Sequence, residues 1–417
     1  MPMVMNIMIF VAGLAMYALS GWAGTAYLVA ATAASYGIGL LIPRKKWLMW
    51  VGIAANAGIL LYMRLLPITN WGFIPVLGIS YFSLQIIGYL VDVYKENHPP
   101  ERNFLRYALY ITYLPHLFTG PIESYGRFMA ALDSRRVTMD GILAGGARMA
   151  WGGVKLLLID ARVSVAIAAV VSGSLEGVYA LIAMVLYSLR LYANFSGAMD
   201  LVLGGSRMLG IRMSENFDAP YLSQSVREFW RRWHITLGQW LKNYIYIPLG
   251  GNRKGTVRRN INLILTFLVS GIWHGIHYLL WGAINGIFVA FGTKLQTRWK
   301  HLNRICTFFL ISLLWGFFVW PDTWTALKNI ASVFLSLNYG QFDYTLLGLT
   351  VTDWIVVGVA SIALWCYDVY KIRLNGLLHR LAPWAKVAVI CILGLGMLVL
   401  GRYGQDVSPV GFVYGGY

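Results

Sequence analysis

The chain has 417 residues, of which 58% are hydrophobic and only 12% charged, with a formal net charge of +17. Soluble domains run at roughly a quarter charged residues, so a soluble enzyme with one anchor is excluded and a polytopic membrane protein is expected. The Lys and Arg excess falls mostly in loops between apolar runs. The positive-inside rule and contact with anionic membrane lipid account for it, and nucleic acid is not needed. Part of the charge also suits a polyanionic substrate such as a CoA thioester.

Apolar runs fall near residues 4–19, 23–42, 47–66, 73–94, 104–120, 142–171, 177–193, 261–290, 305–320, 348–370 and 385–401. A helical span needs about 20 apolar residues, which predicts about eleven transmembrane segments, some tilted or re-entrant. The ten-residue alternation of a β-barrel is not seen. The expected fold is therefore all-α, as one membrane-embedded domain over 1–417. The first run lacks a charged n-region and leads directly into further spans, so no cleavable signal peptide is expected. Basic clusters follow at Pro43-Arg44-Lys45-Lys46, Lys95 to Arg106 and Arg127 to Arg136, and the first of these is assigned to the cytosol.

Leu114-Pro115-His116 and Gly120-Pro121 should break the run near 104–120. Non-helical backbone at that depth must line a cavity or be buried in protein. The segment Tyr192 to Asp200 places Asn194, Ser196 and Asp200 in apolar surroundings, where polar groups must be paired. Interhelical hydrogen bonds serve Asn194 and Ser196. Asp200 either orients a histidine or pairs with an arginine.

The most basic stretch, Arg227 to Arg259, has eight Lys/Arg against one acid, Glu228. Ser223 or Ser225 can cap a helix beginning near Val226. On that helix Trp230, Trp233 and Leu237 share one face, and Arg227, Arg231 and His234 another. This suits a membrane interface. Pro248 and Gly250-Gly251 end the ordered run. Beyond it, Ile272-Trp273-His274-Gly275 puts a histidine inside an apolar run, which marks a functional site. Flanking Gly271 and Gly275 allow close approach of backbone or substrate. The spacing His274-x-x-His277 lacks an accompanying carboxylate, so no metal is expected. Cys306, Cys366 and Cys391 show no ligand or disulfide spacing. No internal repeat of the transporter kind is seen.

Several motifs together resemble the membrane-bound O-acyltransferase family, in its bacterial branch that acylates cell-envelope polysaccharides. They are Leu77-Gly78-Ile79-Ser80-Tyr81-Phe82, Thr119-Gly120-Pro121-Ile122, Phe195-Ser196-Gly197 with Asp200, Asn216-Phe217 through Gly255, and Trp273-His274-Gly275. The most specific are Phe229-Trp230-Arg231-Arg232-Trp233-His234 and Tyr246-Ile247-Pro248-Leu249-Gly250-Gly251-Asn252-Arg253. The likeness is greatest to alginate and peptidoglycan O-acetylation proteins, with teichoic-acid D-alanylation proteins related. Asn194 and Asn243 stand where that subgroup often has aspartate. The resemblance implies a multi-pass protein of the bacterial cytoplasmic membrane, a funnel of helices around a tunnel, His274 as the catalytic histidine, and His234 near the cytosolic entrance.

Acyl transfer from a thioester needs a deprotonated hydroxyl, a polarised carbonyl and exclusion of water. Histidine is the natural base near neutral pH, and an apolar tunnel keeps it uncharged. His274 is expected as the base, beside Trp273, Ser196 and Asp200 as further substrate-site residues. His234, Asn243 or a backbone amide is expected to polarise the carbonyl. Lys242, Arg253 and Lys254 are expected to hold the phosphates of acyl-CoA, with acetyl-CoA or a carrier-protein thioester as donor and no bound cofactor. The tail Gly411-Phe412-Val413-Tyr414-Gly415-Gly416-Tyr417 resembles the terminal aromatic tail of this branch, in which Tyr414 looks like a covalent acyl carrier; interfacial anchoring is the plainer alternative. The resemblance also implies a separate extracytoplasmic SGNH-type transferase as partner. A transporter or flippase is the competing class, against which stand the missing repeats and the two histidine motifs.

Overall fold

The computed structural model describes residues 2–69, 76–292, 296–336 and 342–403. Eighteen α-helices and no strand are present among the described residues. The first group is α1 (Pro2–Ala18), α2 (Trp22–Leu41), α3 (Leu48–Thr69), α4 (Ile79–Tyr94), α5 (Phe104–Thr112), α6 (Leu114–Phe118) and α7 (Tyr125–Asp133). A central group comprises α8 (Met139–Val154), α9 (Ala161–Ser172), α10 (Val178–Met208), α11 (Val226–Arg232) and α12 (Ile235–Leu241). The last group is α13 (Gly255–His274), α14 (Leu279–Phe291), α15 (Lys300–Val319), α16 (Thr323–Leu335), α17 (Val351–Arg380) and α18 (Pro383–Leu400).

Five described helices are long and apolar enough to cross a membrane: α2, α10, α15, α18 and the Val351–Leu374 part of α17. Shorter apolar helices lie at 3–18, 48–63, 79–94 and 276–291. Of the about eleven expected segments, some of them tilted or re-entrant, five appear as long apolar helices and others as shorter ones among the described residues. The predicted break near Pro115 is present: α5 ends at Thr112 and α6 restarts at Leu114. The run 142–171 is one helical path, α8 to α9, widened into a π-helix at Lys155–Asp160. The run 261–290 instead folds back on itself at Gly275. Helix α16, amphipathic rather than uniformly apolar, falls outside every run expected from hydropathy.

Packing follows membrane rules. Lipid tails are as apolar as Leu, so helices associate through close approach and paired polar groups rather than through hydrophobic burial. Where α8 crosses α10, a Cβ on Gly145 would stand 2.5 Å from the Gly204 carbonyl oxygen, and one on Gly152 would stand 2.6 Å from that of Gly197. The two glycines on each helix are seven residues apart, two turns, and so share one face. Lys386 of α18 is buried and paired with Asp140 at the start of α8.

The α13–α14 hairpin is built the same way. Gly275 turns the chain with φ 143° and ψ 154°, a conformation open to glycine. Gly271 lies against the carbonyl of Tyr278 and the Cα of Gly282, and Gly286 against Ile264, so the two helices run antiparallel. His274 is the last residue of α13, at the hairpin tip.

An alanine at Gly271 would put its Cβ 2.6 Å from the Tyr278 carbonyl oxygen. Gly271→Ala is expected to cost about 1–3 kcal/mol through overpacking. Gly58→Ala in α3, where a Cβ meets nothing within 4 Å, is expected to be neutral or slightly stabilising. Thermal unfolding in detergent compares the two.

Candidate active site

Helix α11 starts where expected. Ser225 is the cap: its Oγ accepts from the Glu228 amide at 3.2 Å, and Glu228 accepts from the Gln224 amide at 2.8 Å. The helix then docks on α14. Arg227 donates to the Val289 carbonyl at 2.9 and 2.6 Å, satisfying the end of α14, and Trp230 donates from its indole nitrogen to Asn285 at 2.9 Å.

The expected continuous helix through Leu237 is not formed. It stops at Arg232, Trp233 is extended, and His234 is left-handed at φ 45° and ψ 55°. The cause lies in the preceding segment. Phe217 forms an antiparallel bridge with Trp233. The Asp218 amide donates to the Arg232 carbonyl at 3.0 Å, and the Ile235 amide to that of Asn216 at 3.0 Å. The side chain of Asn216 then caps α12, accepting from the Thr236 amide at 3.0 Å and its hydroxyl at 2.7 Å. Thr236 Oγ1 in turn accepts from the Ile122 amide at 3.0 Å. Three separate sequence motifs therefore converge on the turn that carries His234.

His234 is 2% exposed and His274 5% exposed. Phe195 meets the His234 ring edge-on with centroids 4.9 Å apart. Trp273 neighbours both histidines, with ring centroids 6.4 Å from His234 and 4.7 Å from His274, and does not itself line the cavity they share. Trp281 and Phe318 complete the wall around His274 at 5.5 and 5.6 Å. Both histidines line one largely apolar cavity of about 350 Å³, together with Leu237, Leu263, Phe267 and Ser270. Four cations also line it: Arg227, Arg231, Lys242 and Arg259. Arg231 and Lys242 are exposed, so the cavity runs from the surface to the two buried histidines.

The sides of α12 divide two environments. Leu237, Gly238, Leu241 and the following Lys242 face the histidine cavity. Thr236, Gln239, Trp240 and Asn243 face a second cavity of about 210 Å³, lined also by Gln85, Tyr110, Glu123 and Tyr244. Asn243 is thus placed in this polar chamber and not beside the histidines. Arg253 and Lys254 are exposed on the turn before α13 and line neither cavity.

Ser196 and Asp200 do not line the histidine cavity and belong to a buried charge network between α10 and α8. Lys155 donates to Ser196 at 3.0 Å and to Asp200 at 2.6 Å, and Arg148 to Asp200 at 2.9 Å. Arg148 also clamps Glu215 at 2.6 and 2.7 Å. Of its two expected roles, Asp200 takes pairing with an arginine. Asn194 donates to Asp160 at 2.8 Å, an interhelical bond of the expected kind. His277 is exposed on the turn after the hairpin tip, whereas His274 is buried. Tyr414 lies outside the described residues.

Sequence reasoning missed Arg227, Arg231 and Arg259 as cavity residues, although all three lie in the basic run it singled out. It also missed Phe195, Asn216 and Thr236 as the groups that hold His234.

His234 lies between two short helices, outside the long apolar ones. Burial opposes its charged form and pulls its pKa down to about 3 from 6.5. Between those two values the unfolded chain binds the proton and the folded chain does not. Stability therefore falls as the pH falls below about 6.5. His234→Gln is expected to flatten that dependence by up to about 1.4 kcal/mol per pH unit. Melting temperatures of both proteins between pH 7 and 5 measure it. Thr236→Val strands the Ile122 amide and is expected to cost about 1–3 kcal/mol, read from the same melts.

A family profile described as MBOAT, membrane-bound O-acyltransferase family, matches residues 3–336. The chain is 30% identical to the probable alginate O-acetylase AlgI of Pseudomonas putida, over 88% of this chain and 83% of that protein. It is 31% identical to the peptidoglycan O-acetyltransferase of Helicobacter pylori, over 68% of this chain and 64% of that one. It is 26% identical to the teichoic acid D-alanyltransferase of Streptococcus thermophilus, over 62% and 67%.

Proposed function

The chain belongs to the membrane-bound O-acyltransferase family and is an O-acyltransferase, and we propose that it passes an acetyl group from a cytosolic thioester across the membrane for O-acylation of an extracytoplasmic polysaccharide. The observation that carries this reading is the pair of motif histidines lining one apolar cavity with a cationic mouth. An apolar lining keeps water from the thioester. The cations Arg231 and Lys242, exposed at the surface, suit the phosphates of CoA or of a carrier-protein prosthetic arm. Arg253 and Lys254 stand outside the cavity on the preceding turn and would attract the donor at longer range.

His274 acts as base in this proposal. A neutral imidazole takes the proton of the acceptor hydroxyl on its unprotonated ring nitrogen as the oxygen attacks the thioester carbonyl carbon. The tetrahedral adduct collapses, the carbon–sulfur bond breaks, and the leaving thiolate takes the proton back from the imidazolium. His234 polarises the carbonyl oxygen, held for that purpose in its left-handed turn. Trp273 neighbours both rings. Asn243, in the polar chamber, and the Ser196–Asp200 network act as frame rather than as contacts to the acyl group.

The acceptor within this chain is the phenol of Tyr414. A phenol ionises more readily than an alkanol, and its ester is the better onward donor. A separate extracytoplasmic SGNH-type transferase would take the group from Tyr414 to the glycan, in the bacterial cytoplasmic membrane. The likeness to alginate and peptidoglycan O-acetylases covers more of the chain than that to the D-alanyltransferases, which favours acetyl over D-alanyl.

The test is mass spectrometry of the C-terminal peptide after incubation with acetyl-CoA. The wild type is expected to carry acetyl on Tyr414, and Tyr414→Phe none. His274→Ala is expected to reduce labelling by about 10²–10⁴-fold, the usual contribution of a general base. A D-alanyl adduct from cells would reassign the donor, and transport of intact thioester without hydrolysis would indicate a carrier protein instead.

A further inference from the structure

We propose that the groove between α15 and α17 binds an anionic phospholipid of the cytosolic leaflet, with its phosphate held by Arg304. The site is separate from the histidine cavity and does not rest on the acyl-transfer reading. The groove has a volume of about 580 Å³, with His301 and Arg304 at one end and Phe308, Phe309, Trp365 and Val369 along it. Nε of Arg304 is shielded from solvent and has no hydrogen-bond partner among the described residues. Arg304 as a whole is half-buried, so its guanidinium sits partly out of water at a membrane helix end, where an anion would offset the cost of its charge.

Neither flanking segment supplies that anion from its sequence. No Asp or Glu occurs from Gly292 to Pro321. On α17 the nearest acid is Asp368, and it faces inward, accepting from the Tyr192 hydroxyl at 2.9 Å on both oxygens. Arg298, Lys300 and His301 add positive or donor groups at the same end. This basic entry places the end of α15 in the cytosolic leaflet by the positive-inside rule. The planar fork of Arg304 matches a phosphate.

The rest of the groove suits acyl chains. Phe308 follows Arg304 by one helical turn, about 6 Å further into the membrane. Ile305, Phe309 and Trp365 are 54%, 45% and 56% exposed, so the slot is open to the bilayer along its length. A zwitterionic headgroup would bring a choline cation against the basic end, so the anionic headgroup is preferred. One wall of the groove packs against the segment that carries His234. Tyr221 lines it, meets Phe308 at 5.3 Å between ring centroids and Trp233 at 6.1 Å, and Trp233 precedes His234.

The test uses the purified full chain in two settings. In nanodiscs, adding phosphatidylglycerol to phosphatidylcholine is expected to raise the melting temperature of the wild type. In detergent, native mass spectrometry is expected to show retained phosphatidylglycerol. Arg304→Gln should lose the temperature shift and hold the lipid about tenfold more weakly, as for one charge-assisted bond, while melting normally in pure phosphatidylcholine. Arg304→Lys should restore part of both. If Arg304→Gln fails to fold, Ile305→Glu, which sets a carboxylate in the exposed slot, is expected to abolish retention. Equal retention by wild type and both acidic or neutral variants overturns the proposal. So does an equal shift from inorganic phosphate in detergent without lipid, which would mean a free-anion site.

Discussion

The backbone pairing of residues 216–218 with 232–235 is the constraint on which the candidate active site depends. Left alone, the chain from Val226 would continue as an amphipathic helix, and its histidine would face outward with Arg227 and Arg231. A non-glycine residue in the left-handed region costs about 1–2 kcal/mol. Four hydrogen bonds oppose that cost: Asp218 to Arg232, Ile235 to Asn216, and the amide and hydroxyl of Thr236 to Asn216. At about 1 kcal/mol each they outweigh it. The result is a sharp corner that drives His234 inward, against Phe195 and Trp273.

That corner needs a rigid surround, and the membrane environment dictates how it is made. Glycine crossings bring α8 to α10 and α13 to α14 at backbone distance, which leaves little room for sliding. The ion network of Arg148, Lys155, Asp200 and Glu215 then fastens α8 to α10. Lys155 lies in the π-helical stretch, a local widening that often marks functional sites. Removing one partner from such a network strands the other's charge, so it holds helices in register more than it adds net stability. Phe195, one residue before Ser196 in that network, carries this rigidity to the ring of His234.

The second histidine is held by different means. The α13 C-terminus ends on His274 because Gly275 takes a conformation no other residue adopts cheaply. Aromatic rings then enclose the imidazole on several sides. A hairpin tip delivers one histidine to the cavity, and the α11–α12 corner delivers the other. The short helix α12 separates the apolar cavity from the polar chamber, with one side for each.

Much of this was legible in the chain itself. Hydropathy and charge specified a polytopic helical protein. A serine cap just before Val226, the break near Pro115 and the arginine pairing open to Asp200 followed from local chemistry, although the choice of Ser225 over Ser223 did not, and the motifs specified the family. Span count did not follow, because hydropathy measures how apolar a run is and not where it bends; the run 261–290 turns back at one glycine. Nor did the geometry of His234. Helical periodicity is a local property of neighbours three and four apart, whereas the break at Trp233 is imposed by partners 14 to 20 residues earlier in the chain. The same distinction separates Lys242, which reaches the cavity, from Arg253, Lys254 and Asn243, which are chemically just as suitable. Sequence determined which groups were available for acyl transfer, and long-range backbone hydrogen bonds and helix crossings decided which of them meet, because only tertiary contact can override a helix's own preference to continue.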